Sequence, residues 1–168
     1  MSMPPLELPE AVVDRLRIAT AVLRDIRYLT LATADPNGRP WASTVWFGAS
    51  LRSPSTQRLD VELLWLSRPE AQHSTNLLER PEVAISVFDS RQPADTGVGL
   101  QLAARAEPVP ADELEAALAA FSAASVAAGG NAWTLRQVQE PAPLRVYRAH
   151  LDRALLLVDD SRAELPLS

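Results

Sequence analysis

The chain has 168 residues, 47% hydrophobic and 22% charged, which is the balance of a folded globular protein large enough to bury a substantial core. Its net charge of −5 argues against general nucleic-acid binding, and the absence of cysteine excludes disulfides, thiolate nucleophiles and Cys-based metal centres. All 16 basic residues are arginine, so Schiff-base and P-loop lysine chemistry is excluded, and two histidines are too few for a multi-histidine metal centre.

The chain opens with acidic residues and two adjacent prolines in Met1 to Glu10 instead of a basic region and an apolar core, and no apolar run approaches a membrane span. A cytoplasmic protein without a membrane segment is expected. From Pro9 to Arg24, Val12, Val13, Leu16, Ala19, Val22 and Leu23 recur at helical spacing. Tyr28 to Ala34 then reads as a strand, Asp35-Pro36-Asn37-Gly38 as a turn, and Arg39 to Ala49 as the returning strand of a hairpin. After a polar loop from Ser50 to Arg58, Val61 to Leu66 predicts a third strand with both faces covered.

Ser67-Arg68-Pro69-Glu70 has the form of a capping box with proline in the first turn, so the spacing predicts a helix from there to about Arg80. Strands are expected over Glu82 to Asp89 and Gly99 to Val109, then an alanine-rich helix over Ala111 to Ala128 closed by Gly129-Gly130. Two last strands fit Leu144 to Ala149 and Ala154 to Asp159. Strands follow one another too directly for repeated βαβ units. The fold class expected is mainly β with peripheral helices, an antiparallel barrel, in one domain over 1–168.

Two segments can carry chemistry. The helix predicted after Ser67 presents His73, Asn76, Leu77 and Arg80 on one broad face, and Arg68 stands beside its N-terminus, where backbone N–H groups favour an anion. Simple capping and surface hydrogen bonding account for the same residues. The hairpin strand Trp41-Ala42-Ser43-Thr44-Val45-Trp46-Phe47 mixes small polar residues with aromatics, which suits a flat heteroaromatic ring or, equally, a core or interface.

In their order these segments resemble the FMN-binding split-barrel family typified by pyridoxamine 5′-phosphate oxidase. The resemblance rests on Leu29-Thr30-Leu31-Ala32-Thr33, the Asp35-Pro36-Asn37-Gly38-Arg39-Pro40 turn and Ser43-Thr44-Val45-Trp46-Phe47. It continues through Leu64-Trp65-Leu66-Ser67, the run from Asn76 to Ala84, Leu100 to Glu107 and Arg145 to Ala149. It implies a split barrel that binds FMN, or a related deazaflavin, at the interface of a homodimer and acts as an oxidoreductase on a small molecule. A non-catalytic flavin- or haem-binding sensor is the alternative from another class. The resemblance implies a ring-contacting strand at Ser43, Thr44, Val45 and Trp46 and a phosphate segment at Arg68, His73, Ser74 and Asn76. Tyr147, Arg148 and Trp133 would complete the site from a second subunit. Many relatives carry lysine where this chain has His73. The tail from Ser161 has no tryptophan and one arginine, so the substrate signature of a true pyridoxamine phosphate oxidase is missing.

Overall fold

The computed structural model describes residues 9–52, 57–158 and 160–168. Helix α1 spans Glu10–Asp25 and buries Leu16, Ala19 and Leu23, the apolar stripe its periodicity predicts; Pro9 stands one position earlier than expected, at the N-cap. Strands β1 (Tyr28–Ala34) and β2 (Pro40–Trp46) form the predicted hairpin in full register, from Tyr28 opposite Trp46 to Ala34 opposite Pro40. In the turn, Asp35 Oδ1 accepts the N–H groups of Asn37 and Arg39, each at 2.9 Å. Gly38 there has φ +83°, the left-handed conformation that residues with a Cβ rarely adopt.

The second strand is shorter than its pattern suggested. It ends at Trp46, and after Phe47 the chain begins β3 (Gly48–Leu51), which pairs with β4 (Val61–Ser67) and not with β1. Helix α2 covers Gln72–Glu79, β5 Glu82–Phe88, β6 Gly99–Pro108 and α3 Leu114–Ala127. A short helix, α4 (Leu135–Val138), carries a Thr134/Gln137 capping box that the sequence reading missed. The two last strands expected are one continuous strand, β7 (Arg145–Val158), followed by an unpredicted β8 (Ser161–Glu164).

The eight strands form one antiparallel sheet in the order β2-β1-β5-β6-β7-β4-β3, with β8 added to β7. Strands β2 and β3 are consecutive in sequence yet lie at the two edges. The sheet must therefore curl until its edges approach each other, and no backbone ladder joins β2 to β4 across the gap. The result is a half-barrel with a split. Its concave side holds Leu29, Leu31, Leu63, Trp65, Leu100 and Leu156, all under 2% exposed, so each side chain contributes about 1.5–3 kcal/mol of hydrophobic stabilisation. A second core lies under α3, where Leu114, Leu118 and Phe121 cover Leu64 and Val146. Helix α3 approaches β3 closely enough that a Cβ on Gly48 would come within 2.9 Å of Ala124 Cβ. Among the described residues, no helix is long and apolar enough to cross a membrane.

Candidate functional site

The split holds the candidate site. A cleft of about 440 Å³ is lined from one sheet edge by Thr44, Val45 and Trp46 and from the end of β4 by Leu66 and Ser67, with His73 of α2 beside them. Phe121 and Ser125 of α3, together with Trp133 and Leu144, form the remaining wall. Trp46 meets Phe121 edge-on at 5.2 Å, and Phe121 meets Trp133 in the same manner at 6.3 Å. No charged side chain is among these lining residues.

His73 links the two sides of the split. Its Nε2 lies 2.7 Å from Ser67 Oγ and its Nδ1 lies 3.0 Å from Ser43 Oγ, while Trp41 Nε1 donates to Ser43 Oγ at 3.1 Å. The ring is buried, and burial pushes its pKa below the ordinary histidine value, because low-dielectric surroundings penalise the imidazolium. A neutral imidazole with one donor and one acceptor nitrogen satisfies both serines.

This pairing corrects the expected capping box. Ser67 is the last residue of β4, and its hydroxyl serves His73 instead of a helix terminus. The helix starts at Gln72 with Ala71 at its N-cap and no side-chain cap, because the strand runs through Ser67 and the turn through Pro69 delays the helix. Asn76 is equally committed: its Nδ2 donates to Thr33 Oγ1 at 2.9 Å and its Oδ1 accepts from Gln72 Nε2 at 2.8 Å, fastening α2 to β1. Arg80 lies outside the buried part of the predicted helix face; it is exposed and donates to the carbonyl of Pro36.

The structure therefore gathers Ser43, Thr44, Val45, Trp46, His73 and Trp133 at one place. Arg68 directly follows Ser67; its carbonyl accepts from Ala71 N–H at 3.1 Å, while its guanidinium is exposed and has no hydrogen bond or ion pair to another described residue. Ser74 is 1% exposed and its hydroxyl has no partner among the described residues. Within one protomer, Tyr147 and Arg148 do not line the cleft. They alternate along β7, so Tyr147 points into the barrel and stacks on Trp65 at 5.9 Å.

Arg148 is held by carboxylates: Glu107 at 2.7 Å, Glu113 at 2.6 Å and Glu62 at 3.7 Å. Glu113 and Glu107 hold its pKa above the ordinary arginine value, the Glu113 hydrogen bond contributing most. Glu113 is the N-cap residue of α3, so this arginine fixes the helix that walls the cleft. Sequence reasoning missed Leu66, Phe121, Ser125 and Leu144 as cleft residues. Phe121 was visible as part of the apolar face of α3, but nothing local says which neighbour that face meets. The loop from Ser90 to Val98 lies elsewhere, against a separate cavity of about 230 Å³ that also touches Phe88, Gly99 and Leu157.

A family profile described as "Pyridoxamine 5′-phosphate oxidase" matches residues 18–157. No curated protein matches the sequence. Among solved structures, a haem-binding protein from Mycobacterium smegmatis superposes with TM-score 0.68 at 22% identity, covering 94% of this chain and 59% of its own. The protein Atu2129 of unknown function from Agrobacterium tumefaciens gives TM-score 0.63 at 22% identity, covering 96% of this chain and 65% of its own. The haem storage protein of Vibrio cholerae gives 0.60 at 21% identity, covering 83% and 90%. The chain thus spans less than two thirds of the first two structures, and at these identities the likeness is one of fold. With the half-barrel, its split and the profile match in agreement, the chain belongs to the pyridoxamine 5′-phosphate oxidase family.

Proposed function

We propose that the chain is a single FMN-binding domain that works as a flavin-dependent oxidoreductase on a small molecule, paired with a second copy of itself. The observation that carries this reading is the aromatic cleft in the split, bounded by β2 along Thr44 to Trp46 and by the serine–imidazole pair at its polar end. Its volume of about 440 Å³ and uncharged walls suit a flat heteroaromatic ring. For the phosphate, Arg68 offers an unpaired guanidinium, and the first turn of α2 has no side-chain cap competing for its N–H groups. These residues fit the cofactor. A bound flavin would supply the hydride or electron chemistry, while the protein orients the ring and excludes water.

The convex face of the sheet supports the pairing. Two rungs cross four strands, Thr30–Ser86–Gln101–Leu155 and Ala32–Ala84–Ala103–Arg153, and no helix among the described residues covers them. Their mostly small side chains make a shallow, low-relief surface on which a second copy can lie.

The absorbance spectrum of the purified protein, with and without added FMN, tests the reading. Flavin bands that travel with the protein through gel filtration are the expected result. Protein that passes the column colourless after incubation with FMN would overturn it. A haem-carrying role is the second reading, favoured by the absence of charged side chains from the cleft walls and by the haem-binding and haem-storage proteins that share the fold. It ranks second because both nitrogens of His73 are engaged by serines, leaving no ring nitrogen in the cleft free to ligate iron.

A further inference from the structure

The hydrogen-bond inventory of the Ser43–His73–Ser67 chain reaches beyond simple binding. When His73 is neutral, one nitrogen donates to one serine and the other nitrogen accepts the hydroxyl hydrogen of the second serine. Only one serine hydrogen is then free. When the ring is protonated, both nitrogens donate, so both serines must accept and both of their hydrogens are released. Ser43 already accepts from Trp41 Nε1, so its second lone pair takes the imidazolium and its hydrogen must turn to another acceptor. One proton added to the ring therefore creates a positive charge and frees one further hydroxyl donor in the same place.

We propose that this chain of groups is a proton-coupled anion site, which binds the phosphate or sulfate group of a ligand in the cleft by taking up one proton at His73. The proposal rests on the reading that the cleft receives a phosphate-bearing ligand. It adds that the anion is met by a cation that does not exist before binding. In the ligand-free protein the imidazole is neutral and the chain satisfies itself, which keeps the buried ring without an uncompensated charge. An anion at the Ser67 end supplies the opposite charge that stabilises the imidazolium, and it accepts the released hydroxyl hydrogens.

The surroundings leave this titration to His73. From β2 and β4 the ring faces the two serine hydroxyls, and no carboxylate or cation lines the cleft. Arg39 ahead of β2 and Arg68 and Glu70 in the turn before α2 are exposed. Arg145, opposite Ser67 on β7, donates to the carbonyls of Ala142 and Leu144, and Arg105 on β6 is paired with Glu82. Burial alone accounts for the lowered pKa of the ring, with no contribution from a charged neighbour.

The chain has only two histidines, so NMR can follow the ring protons of His73 during a pH titration with His150 as internal comparison. Sulfate is the probe because it does not itself titrate near neutrality, and sodium chloride at equal ionic strength controls for screening. The midpoint of His73 is expected to rise in sulfate by about one pH unit, the effect of an opposite charge at hydrogen-bond distance. Equal midpoints in sulfate and chloride would overturn the proposal.

Calorimetry of FMN binding at neutral pH, in buffers of different ionisation heat, then counts protons taken up. Uptake with FMN that vanishes in His73→Gln, and that riboflavin without its phosphate does not produce, is the expected pattern. His73→Lys keeps a cation without the titration and should bind FMN with no proton uptake. FMN binding to the wild type without proton uptake would sink the proton coupling and leave the flavin reading intact. A sulfate-dependent midpoint in a protein that ignores FMN would do the reverse.

Discussion

Ser43 on β2 and Ser67 at the end of β4 share no backbone ladder, yet both hydrogen-bond the same imidazole, at 3.0 and 2.7 Å. A side chain therefore fastens the two margins of the split. Ser67→Ala should leave a buried ring nitrogen without its partner and destabilise the protein by about 1–3 kcal/mol, read as a lower denaturant midpoint at unchanged slope. A midpoint equal to that of the wild type would mean that the contact contributes nothing to stability.

The same imidazole gives the fold a pH dependence. Its pKa is lower in the folded chain than the value of 6.5 for a free histidine, so the unfolded chain binds more protons between those two limits. The contribution of the neutral ring is complete above about pH 6.5 and is lost as pH falls through the window below it. Thermal melts of wild type and His73→Gln should therefore converge on acidification from neutral pH, and parallel pH profiles would refute this account.

Arg148 ties β7 to β6 through Glu107 and to the start of α3 through Glu113. Arg148→Met leaves Glu62, itself 6% exposed, with Arg52 at 2.8 Å and His150 at 3.6 Å as its remaining partners. A loss of stability on the order of 3 kcal/mol is expected, the range for breaking a buried ion pair from one side. The hydrogen bond from Arg148 holds the Glu113 carboxyl below its ordinary value of 4.5. That contribution is present above about pH 4.5 and is lost on further acidification, and the variant should lack this acid limb in its stability profile.

Helix α3 has no space to settle closer to the sheet. A Cβ at Gly48 would approach Ala124 Cβ to 2.9 Å, so Gly48→Val must push the helix away from β3. The cost should be about 1–3 kcal/mol, as for other overpacked contacts. Because α3 carries Phe121 and Ser125, ligand retention should fall as well, measured by flavin content after gel filtration. Retention and stability at wild-type levels would mean that helix and strand part without moving the cleft wall.

Trp46→Ala removes one face of the cleft while leaving the barrel interior unchanged. Loss of one aromatic contact of about 1 kcal/mol should weaken FMN binding several-fold, which fluorescence titration would resolve. Ala84→Arg on the exposed convex face, where the proposed second copy would lie, should leave the protomer folded but move its gel-filtration peak to that of a monomer, with cofactor lost if it sits between subunits. An unmoved elution volume would exclude this face as the contact.

The hairpin, α1 and the alanine-rich helix were legible because their signals are local: alternation, a glycine turn and a 3.6-residue stripe. Helix α2 was displaced because the Ser67 hydroxyl has two competing uses. A sequence ranks the nearby cap first, whereas the fold offers a histidine that completes a better-buried pair. The break at Phe47 was invisible because alternation continues through it while the pairing partner changes from β1 to β4. Arg148 illustrates the opposite limit. An arginine on a late strand reads as an anion ligand until its carboxylates arrive from positions 35 and 41 residues earlier.

Strand β7 has a consequence for how the molecule comes apart. Over Arg145 to His150 it is bonded to β4 on one side, Tyr147 to Leu157 pairs with β6, and Leu155 to Val158 meets β8. Tyr147 to His150 and Leu155 to Leu157 are hemmed on two sides, so no flank of the sheet on either side of β7 can be released without exposing one of its margins. Local openings will begin at the rims, in β2 and β3, and the amides of β7 will exchange last, with the largest cooperative unit.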